Sequence, residues 1–291
     1  MRVTEKMIYE GTLSRVTDSR SKLGEAQEQL SSGKRVIAPG DDPAAAALVV
    51  RHRIMQNRFS AIGTAAQQAA DELNTADGAL DNVGNLLGRA RQLASQLGSD
   101  SYDAAERAAA APEVDGLLRQ TINELNTRFG DRYLFGGYKE TTQPFDDAGV
   151  YQGDSGVRTV EVSPGLYEVS SVDVSGMVTG ATGIVQTLQD LSTALTNNDG
   201  DAIRNSITNF ENLANSLATI RSRVGTSVNV FESAVSLCES GVDDETVFIG
   251  KVQDADVIDA STQLSLAQYA LEATLTAASK TFELSLVNRM K

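Results

Sequence analysis

The chain has 291 residues, of which 41% are apolar but only 5% aromatic, and it contains no tryptophan. Its 25 basic and 39 acidic residues give a formal net charge of −14 at pH 7, which argues against nucleic acid as a partner because phosphates would be repelled. A single cysteine cannot form an internal disulfide, and no apolar run reaches the roughly 20 residues of a membrane span.

The N-terminal segment predicts a helix that is only marginally stable by itself. Val16, Leu23 and Leu30 recur every seven residues, which places them on one helical face. Gly11 and Gly24 each weaken such a helix by about 1 kcal/mol relative to alanine. An isolated amphipathic helix of this kind is unstable in water. We therefore expect this end, and the C-terminal end as well, to be loose in the free monomer and to order only when paired.

The stretch LSSGKRVIAPGDDPAAAALVV, which follows, predicts a break between two helices. Gly33 suits the left-handed position that comes after a helix C-terminus. Asp42 can cap a new helix, and Pro43 suits its first turn. Together with Pro39 and Gly40, these residues predict a hinge between a conditional N-terminal helix and a permanent one.

Two long heptad patterns dominate the middle of the chain. Apolar residues alternate at spacings of four and three from Leu48 to Leu97, interrupted by His52, and a second pattern runs from Ile203 to Val252. A helix from residue 43 to residue 98 would be roughly 80 Å long at 1.5 Å per residue. The patterns therefore predict an elongated antiparallel helical bundle, or coiled-coil rod.

Shorter patterns complete this bundle and enclose a segment of different character. Val114–Phe129, with Pro112 in its first turn, and Ile184–Leu195 both have helical spacing. Residues 133–180 between them are rich in Val, Tyr and Phe and carry turn signals such as SPGL at Ser163–Leu166. We interpret this segment as a small β insert made of hairpins.

The C-terminal segment repeats the apolar face of the N-terminal helix. Both ends are nearly neutral, since residues 1–42 hold seven basic and seven acidic residues and residues 250–291 hold four and five. Such ends can pack against each other and against copies of themselves at little electrostatic cost. The predicted assembly interface consists of Val16, Leu23, Leu30, Leu264, Leu271, Leu275, Phe282 and Leu286.

Motifs that could carry chemistry are interpreted as structural. GDSG at residues 153–156 resembles a protease nucleophile segment, but such catalysis needs a base beside the serine, and the one histidine, His52, lies in a long helical pattern. We interpret GDSG as a hairpin turn.

TNNDGDA at residues 196–202 lacks the closing glutamate of a calcium loop, so Asp199 or Asp201 is predicted to cap the next helix. The single cysteine lies on an apolar pattern and is predicted to be a core residue. We predict no catalytic, cofactor or metal site.

The two ends of the chain resemble a known family. LSSGKRVIAPGDDPAAAALVV is similar to the N-terminal signature of bacterial flagellins and hook-associated proteins, and ADVIDASTQLSLAQYALEATLTAASKTFELSLVNRM resembles their C-terminal helix. The order of terminal helix, rod, insert, rod and terminal helix also matches that family. Within it, RYLFGG (Arg132–Gly137) and YQGDSG (Tyr151–Gly156) resemble subunits of the hook–filament junction more than filament flagellin.

This resemblance implies a structural flagellar subunit and not an enzyme, exported by the flagellar type III apparatus. Expected partners are hook-associated protein 1, flagellin, copies of the chain and an export chaperone. The alternative is flagellin itself, which should form long filaments alone. The implied parts are assembly helices with the hinge at residues 1–42 and 250–291, rod halves at 43–132 and 181–249, and the insert at 133–180.

One stretch inside the rod also resembles flagellins. LLGRARQLASQ is similar to a flagellin segment that contacts neighbouring subunits. The resemblance implies subunit contacts at Arg89, Arg91 and Leu93.

Overall fold

The computed structural model describes residues 2–146 and 148–289, and side chains within residues 6–146 and 148–281. It confirms a mainly α fold with a small β insert. The elements in chain order are α1 (Arg2–Ser32), α2 (Pro43–Leu97), α3 (Ala104–Leu125), β1 (Arg128–Phe129), β2 (Arg132–Tyr133), β3 (Thr159–Ser163), β4 (Leu166–Val169), α4 (Ser175–Val178), α5 (Ile184–Thr196), α6 (Gly200–Gln253) and α7 (Val257–Arg289).

The chain divides into two compact units. The terminal unit comprises Met1–Arg58 and Gly241–Lys291, and the central unit comprises Phe59–Ser240. Helices α2 and α6 contribute residues to both units. None of the helices in the described part of the chain has the length and hydropathy needed to cross a membrane.

In the central unit, α2 and α6 pack against each other in opposite directions. A Cβ atom at Gly84 would lie 3.2 Å from the Leu217 side chain, while the Arg221 Nε donates to Asp77 at 2.8 Å. Residues of increasing number along α2 therefore contact residues of decreasing number along α6, which makes the two helices antiparallel. The two carboxylates beside Arg221, Asp77 and Asp81, hold the pKa of this guanidinium above its ordinary value.

The heptad pattern of α2 is confirmed as the centre of the core. All its predicted apolar positions from Ile62 to Leu97 are buried. At the start of α2, however, Leu48 is 45% exposed and Val49 is buried instead. On α6 the buried position lies one residue before the predicted one, since Leu213 is buried and Ala214 is exposed. At both places the buried residue is the direct neighbour of the predicted one, so the seven-residue count locates the buried face to within one residue.

Helix α3 starts earlier and ends earlier than its apolar pattern predicts. Asp103 and Glu106 form a capping box, with the Glu106 N–H donating to Asp103 at 2.8 Å, and the helix starts at Ala104. Pro112 therefore lies inside the helix and not in its first turn. It is on the exposed side, where water can bond the carbonyl that the proline leaves free. The helix ends at Leu125, and Phe129 belongs to β1.

The buried face of α5 and the start of α6 match the predictions. The predicted buried face of α5, from Ile184 to Leu195, is confirmed. The Ala202 N–H donates to the Asp199 carboxylate at 3.0 Å, which confirms Asp199 as a cap of α6. Within the residues searched, no cluster of three or more His, Cys, Asp or Glu side chains could hold a metal ion.

A buried arginine joins the two turns at this end of the bundle. Arg107, on α3, is 6% exposed. Its guanidinium donates to the backbone oxygens of Leu97 and Ser99, both at 3.0 Å, and to the Asn198 side chain at 2.7 Å. These bonds use donors on all three guanidinium nitrogens and fix the α2–α3 turn against the α5–α6 turn.

The β structure consists of two short antiparallel hairpins: β1–β2 lies just before and at the start of the predicted insert, and β3–β4 lies within it. The predicted turn at SPGL is confirmed, with Gly165 at φ 84°. The predicted hairpin turn at GDSG is wrong, because residues 153–156 form an irregular loop that connects neither pair of strands. Asp154 organises this loop by accepting N–H bonds from Tyr138 and Gly156, both at 2.8 Å, and these donors lower its pKa.

A buried carboxylate attaches this insert to α2. Glu72 is 4% exposed and pairs with the guanidinium groups of Arg132 and Arg158, the latter at 2.8 Å. Glu140 also faces both arginines, at 3.6 and 2.9 Å. The two arginines therefore lie between two carboxylates, which offsets the cost of burying these charges.

We predict that Glu72→Ala will destabilise the central unit by about 3 kcal/mol, because it leaves two arginines facing one carboxylate in a partly buried site. Urea unfolding followed by circular dichroism measures this. The control is Glu113→Ala, which removes the exposed pair of Glu113 with Arg89 and should cost less than about 1 kcal/mol. Equal losses in the two variants would contradict the role given to Glu72.

Candidate assembly surface

In the terminal unit, α1 and α7 pack against each other in opposite directions. The Ser19 hydroxyl lies 3.3 Å from that of Thr274, and at the other end the Ala255 N–H donates to the Gly33 carbonyl at 2.9 Å. The less exposed side chains recur at spacings of four and three on both helices, as in a coiled coil. They are Thr12, Val16, Ser19, Leu23, Ala26 and Leu30 on α1, with Gln29 half-buried beside Leu30, and Ala260, Leu264, Ala267, Leu271, Thr274, Ala278 and Thr281 on α7.

Most residues of the predicted assembly interface lie within this intramolecular pair. The half-buried members are Val16, Leu23, Leu30, Leu264 and Leu271. Leu275 lies beside the pair and is 44% exposed. The side chains of Phe282 and Leu286 are outside the described residues. Each terminal helix thus packs against the other end of the same chain, and whether the ends are loose in the free monomer stays a prediction.

The α1–α7 pair buries small residues better than large ones. Ala26, Ala260 and Ala278 are each 4–6% exposed, whereas the leucines of the pair remain half-buried. Two helices alone can cover only one face of each other, so this pair has no complete core of its own.

The other faces of the pair expose large apolar side chains to solvent. The most exposed are Ile258 at 78%, Tyr269 at 70% and Met7 at 66%. Ile258 and Tyr269 are eleven residues apart, three helical turns, so they share the face of α7 opposite its contact with α1. Further exposed residues are Ile8, Tyr9 and Leu13 on α1, and Leu266 on α7. Exposed apolar residues grouped in this way are typical of an interaction surface.

The distribution of exposed apolar residues separates the two units. Among described side chains, 22 large hydrophobic residues are exposed, and 15 of them belong to the terminal unit although it is the smaller one. Burying apolar surface contributes about 25 cal/mol per Å². The terminal unit therefore has more to gain from a partner than the central unit has.

The predicted hinge residues form a link that is bonded to a second link. The N-terminal link comprises residues 33–42, and the C-terminal link comprises residues 254–256 between α6 and α7. The Arg35 N–H donates to the Gln253 carbonyl at 2.7 Å, and the Arg35 guanidinium donates to the Val252 carbonyl at 3.1 Å. The two breaks in the helices thus lie side by side.

Local turn chemistry shapes the N-terminal link as predicted. Gly33 follows the last residue of α1 at φ 67°, which confirms the left-handed position. Pro39 and Gly40 are the central residues of a turn closed by the Asp41 N–H, which donates to the Ala38 carbonyl at 3.0 Å. Movement about this link, the hinge itself, stays a prediction.

Two carboxylates hold the link in this conformation. Asp41 accepts N–H bonds from Ala38 and Ile37 at 2.7 and 2.9 Å. Asp42 caps α2, whose first residue is Pro43, by accepting the Ala45 N–H at 3.0 Å. These backbone donors lower the pKa of both carboxyl groups.

The C-terminal link is a feature that the apolar patterns did not predict. Asp256 caps α7 by accepting the N–H groups of Ile258 and Asp259 at 2.8 and 3.3 Å. The signal in the sequence is an aspartate directly before an apolar run, with a second acid three residues later.

The segment that resembles a flagellin subunit contact has intramolecular partners. Arg89 pairs with Glu113 at 2.7 Å and Arg91 lies 3.8 Å from Glu211, with about half of each side chain exposed. Leu93 is 5% exposed in the core. The arginines are therefore open to a neighbouring subunit, and Leu93 offers it little surface. The contact itself stays a prediction.

Cys238 and His52 are structural residues in this fold. Cys238 is 2% exposed, and burial raises the pKa of its thiol. His52 Nδ1 lies 2.6 Å from the Glu245 carboxylate, and its ring stacks on Phe248 at 5.4 Å. The predicted core cysteine is confirmed, and His52 has structural partners on α6.

The sequence of this chain is similar to those of known flagellar proteins. Residues 3–140 match the family model of the bacterial flagellin N-terminal helical region. Flagellar hook-associated protein 3 of Escherichia coli K12 is 26% identical, over 96% of this chain and 95% of its own. The protein of the same name from Salmonella typhimurium is 32% identical over 56% of this chain and 52% of its own. A flagellin of Listeria monocytogenes is 23% identical over 88% of this chain and 87% of its own.

Solved structures share the fold. A flagellar hook-associated protein from Vibrio parahaemolyticus superposes with a TM-score of 0.65 at 17% identity, covering 74% of this chain and 98% of its own. FlgL from Bacillus cereus gives a TM-score of 0.58 at 21% identity, covering 71% and 99%. At these identities the likeness is one of fold.

Glycine replacement at two positions should have opposite effects. Gly33→Ala places a Cβ in a left-handed conformation and should destabilise the terminal unit by about 1 kcal/mol. Gly24→Ala, inside α1 with open space around it, should stabilise the helix by about 1 kcal/mol. Thermal melts followed by circular dichroism compare the two, and a shift of the same sign in both would contradict the assigned conformation of Gly33.

Acid should weaken the N-terminal link specifically. The pKa values of Asp41 and Asp42 are lowered from 3.8 in the folded chain, so their stabilising effect is complete above that value and is lost as pH falls through the folded pKa. Hydrogen exchange of residues 33–45, corrected for intrinsic rates, should rise in this window. In the double variant Asp41→Asn with Asp42→Asn that rise should be absent, and an identical rise in both chains would refute the assignment.

Proposed function

We propose that the chain is a member of the flagellin family and a structural subunit of the bacterial flagellum, at the junction between hook-associated protein 1 and the flagellin filament. The match of residues 3–140 to the flagellin N-terminal helical region supports this proposal, as does the similarity of nearly the whole chain to a hook-associated protein 3. The observation that carries this proposal is the apolar surface that α1 and α7 expose in the terminal unit. Relatives named as hook-associated protein 3 support the junction over other positions in the flagellum.

In this proposal, assembly completes the packing of the terminal helices. Residues 1–42 and 250–291 form the inner coiled-coil layer, where the exposed faces of α1 and α7 pack against copies of the chain and against its neighbours. The rod halves, residues 43–132 and 181–249, and the insert, residues 133–180, face outward. The thin α1–α7 contact supports this arrangement, since it leaves apolar surface for further helices to cover.

Export through the flagellar type III apparatus, with the help of a chaperone, is the corresponding route to the cell exterior. The chain has one cysteine, so it can be unfolded and refolded without breaking an internal disulfide. An export chaperone would cover the exposed faces of α1 and α7 until they meet their final partners.

Flagellin is the alternative function, favoured by relatives of that name that match most of the chain. A filament subunit would polymerise into long filaments by itself and would be distributed along the whole filament. Immunogold electron microscopy of flagella distinguishes the two. Label confined to one band where the hook meets the filament supports the junction proposal, and label along the filament would replace it with flagellin.

Polar substitution on the outer face of α7 should block assembly without unfolding the chain. The double variant Ile258→Asp with Tyr269→Asp alters two side chains that are more than two-thirds exposed, so its thermal melt should match that of the wild type. Motility and incorporation into flagella should be lost, because two charges would have to be buried at the interface.

The control for this prediction is Tyr167→Asp, on β4 of the insert, where the side chain is 60% exposed. This variant should assemble normally. Normal motility in the Ile258/Tyr269 double variant would refute the role of the outer face of α7.

A further inference from the structure

The terminal unit contains two helix segments of opposite charge next to the links. Residues 43–58 of α2 include three arginines and no acidic residue, whereas residues 241–253 of α6 include three acidic residues and one lysine. Both segments lie within the terminal unit. Their inner faces meet at His52 and Glu245 and again at Gln56 and Thr246.

The outward face of the α2 segment is apolar with a basic border. Val50 is 58% exposed and Ile54 is 61% exposed, and they lie one turn apart. This side of α2 is opposite the buried side, which includes Val49 and the half-buried His52. Arg51 and Arg53 flank the two apolar residues and are exposed. Neither arginine has an ion pair among the described side chains. We name this surface, Val50, Arg51, Arg53 and Ile54, the basic face.

The outward face of the α6 segment has the complementary character. Val247 is 53% exposed, opposite the half-buried Glu245 and Ile249. Asp243 and Asp244 lie one turn before it and are exposed, and neither has an ion pair within the described part of the chain. We name this surface, Asp243, Asp244 and Val247, the acidic face.

We propose that the basic face of one copy binds the acidic face of the next copy, as a second contact beside the terminal helices. This inference rests on the proposed function, because it requires that copies assemble. The valines and isoleucine would be buried at the centre, and Arg51 and Arg53 would meet Asp243 and Asp244 at the rim. Opposite charges at a rim favour the correct partner and repel like faces.

Such a contact is heterologous, since two different surfaces of the chain meet. A pair joined in this way still has one free basic face and one free acidic face, so copies add one after another until a ring closes or a helix continues. A symmetric dimer would instead bring two faces of the same charge together.

A second copy fits both faces better than other partners. An anionic lipid surface or a nucleic acid would attract the basic face but repel the acidic face on the same unit. A copy of the chain supplies the complement of each face, with apolar side chains at the centre of both. The small area of each face makes a single contact weak, so its effect comes from repetition within the assembly.

Charge reversal in the full-length chain tests this pairing. The variant Arg51→Glu with Arg53→Glu has two acidic faces, and the variant Asp243→Arg with Asp244→Arg has two basic faces. Sedimentation velocity at low ionic strength should show self-association reduced at least about tenfold in each variant alone. Thermal melts equal to that of the wild type confirm that both remain folded, since the altered residues are exposed.

Two combinations should restore association. An equimolar mixture of the two variants offers alternating complementary faces, and the chain carrying all four substitutions is complementary to itself with the polarity reversed. Both should associate to within about threefold of the wild type, because the charges again match. No simple loss of folding or of an unrelated contact would be rescued in this way.

The inference is overturned if either double variant associates as strongly as the wild type, if neither combination is rescued, or if the wild-type chain stays monomeric at the highest attainable concentration. The proposed function is judged separately by the immunogold label on wild-type flagella. Label at the junction with unaltered association of the variants would remove this inference alone. Rescue by charge matching with no label on flagella would remove the proposed function alone.

Discussion

The antiparallel packing of α2 against α6 is the constraint on which the rest of the structure depends. In the central unit, the buried face of α2 continues without interruption from Ile62 to Leu97, and Gly84 allows Leu217 to approach closely. Helices α3 and α5 cover this pair, and the insert is attached to it through Glu72. These elements are therefore positioned by contacts that lead back to the two long helices.

Regular elements could be predicted from the sequence because their physical signals are local and repeated. The α2 heptads, the left-handed Gly33 and the Asp42 cap each follow from residue type and spacing alone. The predictions were wrong where the direct neighbour of a counted position is buried instead, as at Leu48, or where a cap outside the apolar pattern sets the helix start, as at Asp103. A helix is limited by its caps as much as by its apolar face.

Contacts between distant segments could not be predicted in the same way. Periodicity shows that α1 and α7 have an apolar face, but it does not show that each face is covered by the other end of the same chain. The pairing of Glu72 with Arg158, 86 residues away, likewise has no local signal. The surface available to a partner therefore consists of exposed residues such as Ile258 and Tyr269 and not of the half-buried leucines, and this is visible only once the covered side is known.

The contact between α1 and α7 joins the first helix of the chain to the last. A polypeptide leaves the ribosome, or a narrow export channel, one end first. Whichever terminal helix emerges first therefore has no partner until the opposite terminus has also emerged. Closing so long a loop is also entropically slow. The order of emergence alone thus delays this pairing until the entire molecule has been released, with no separate timing device.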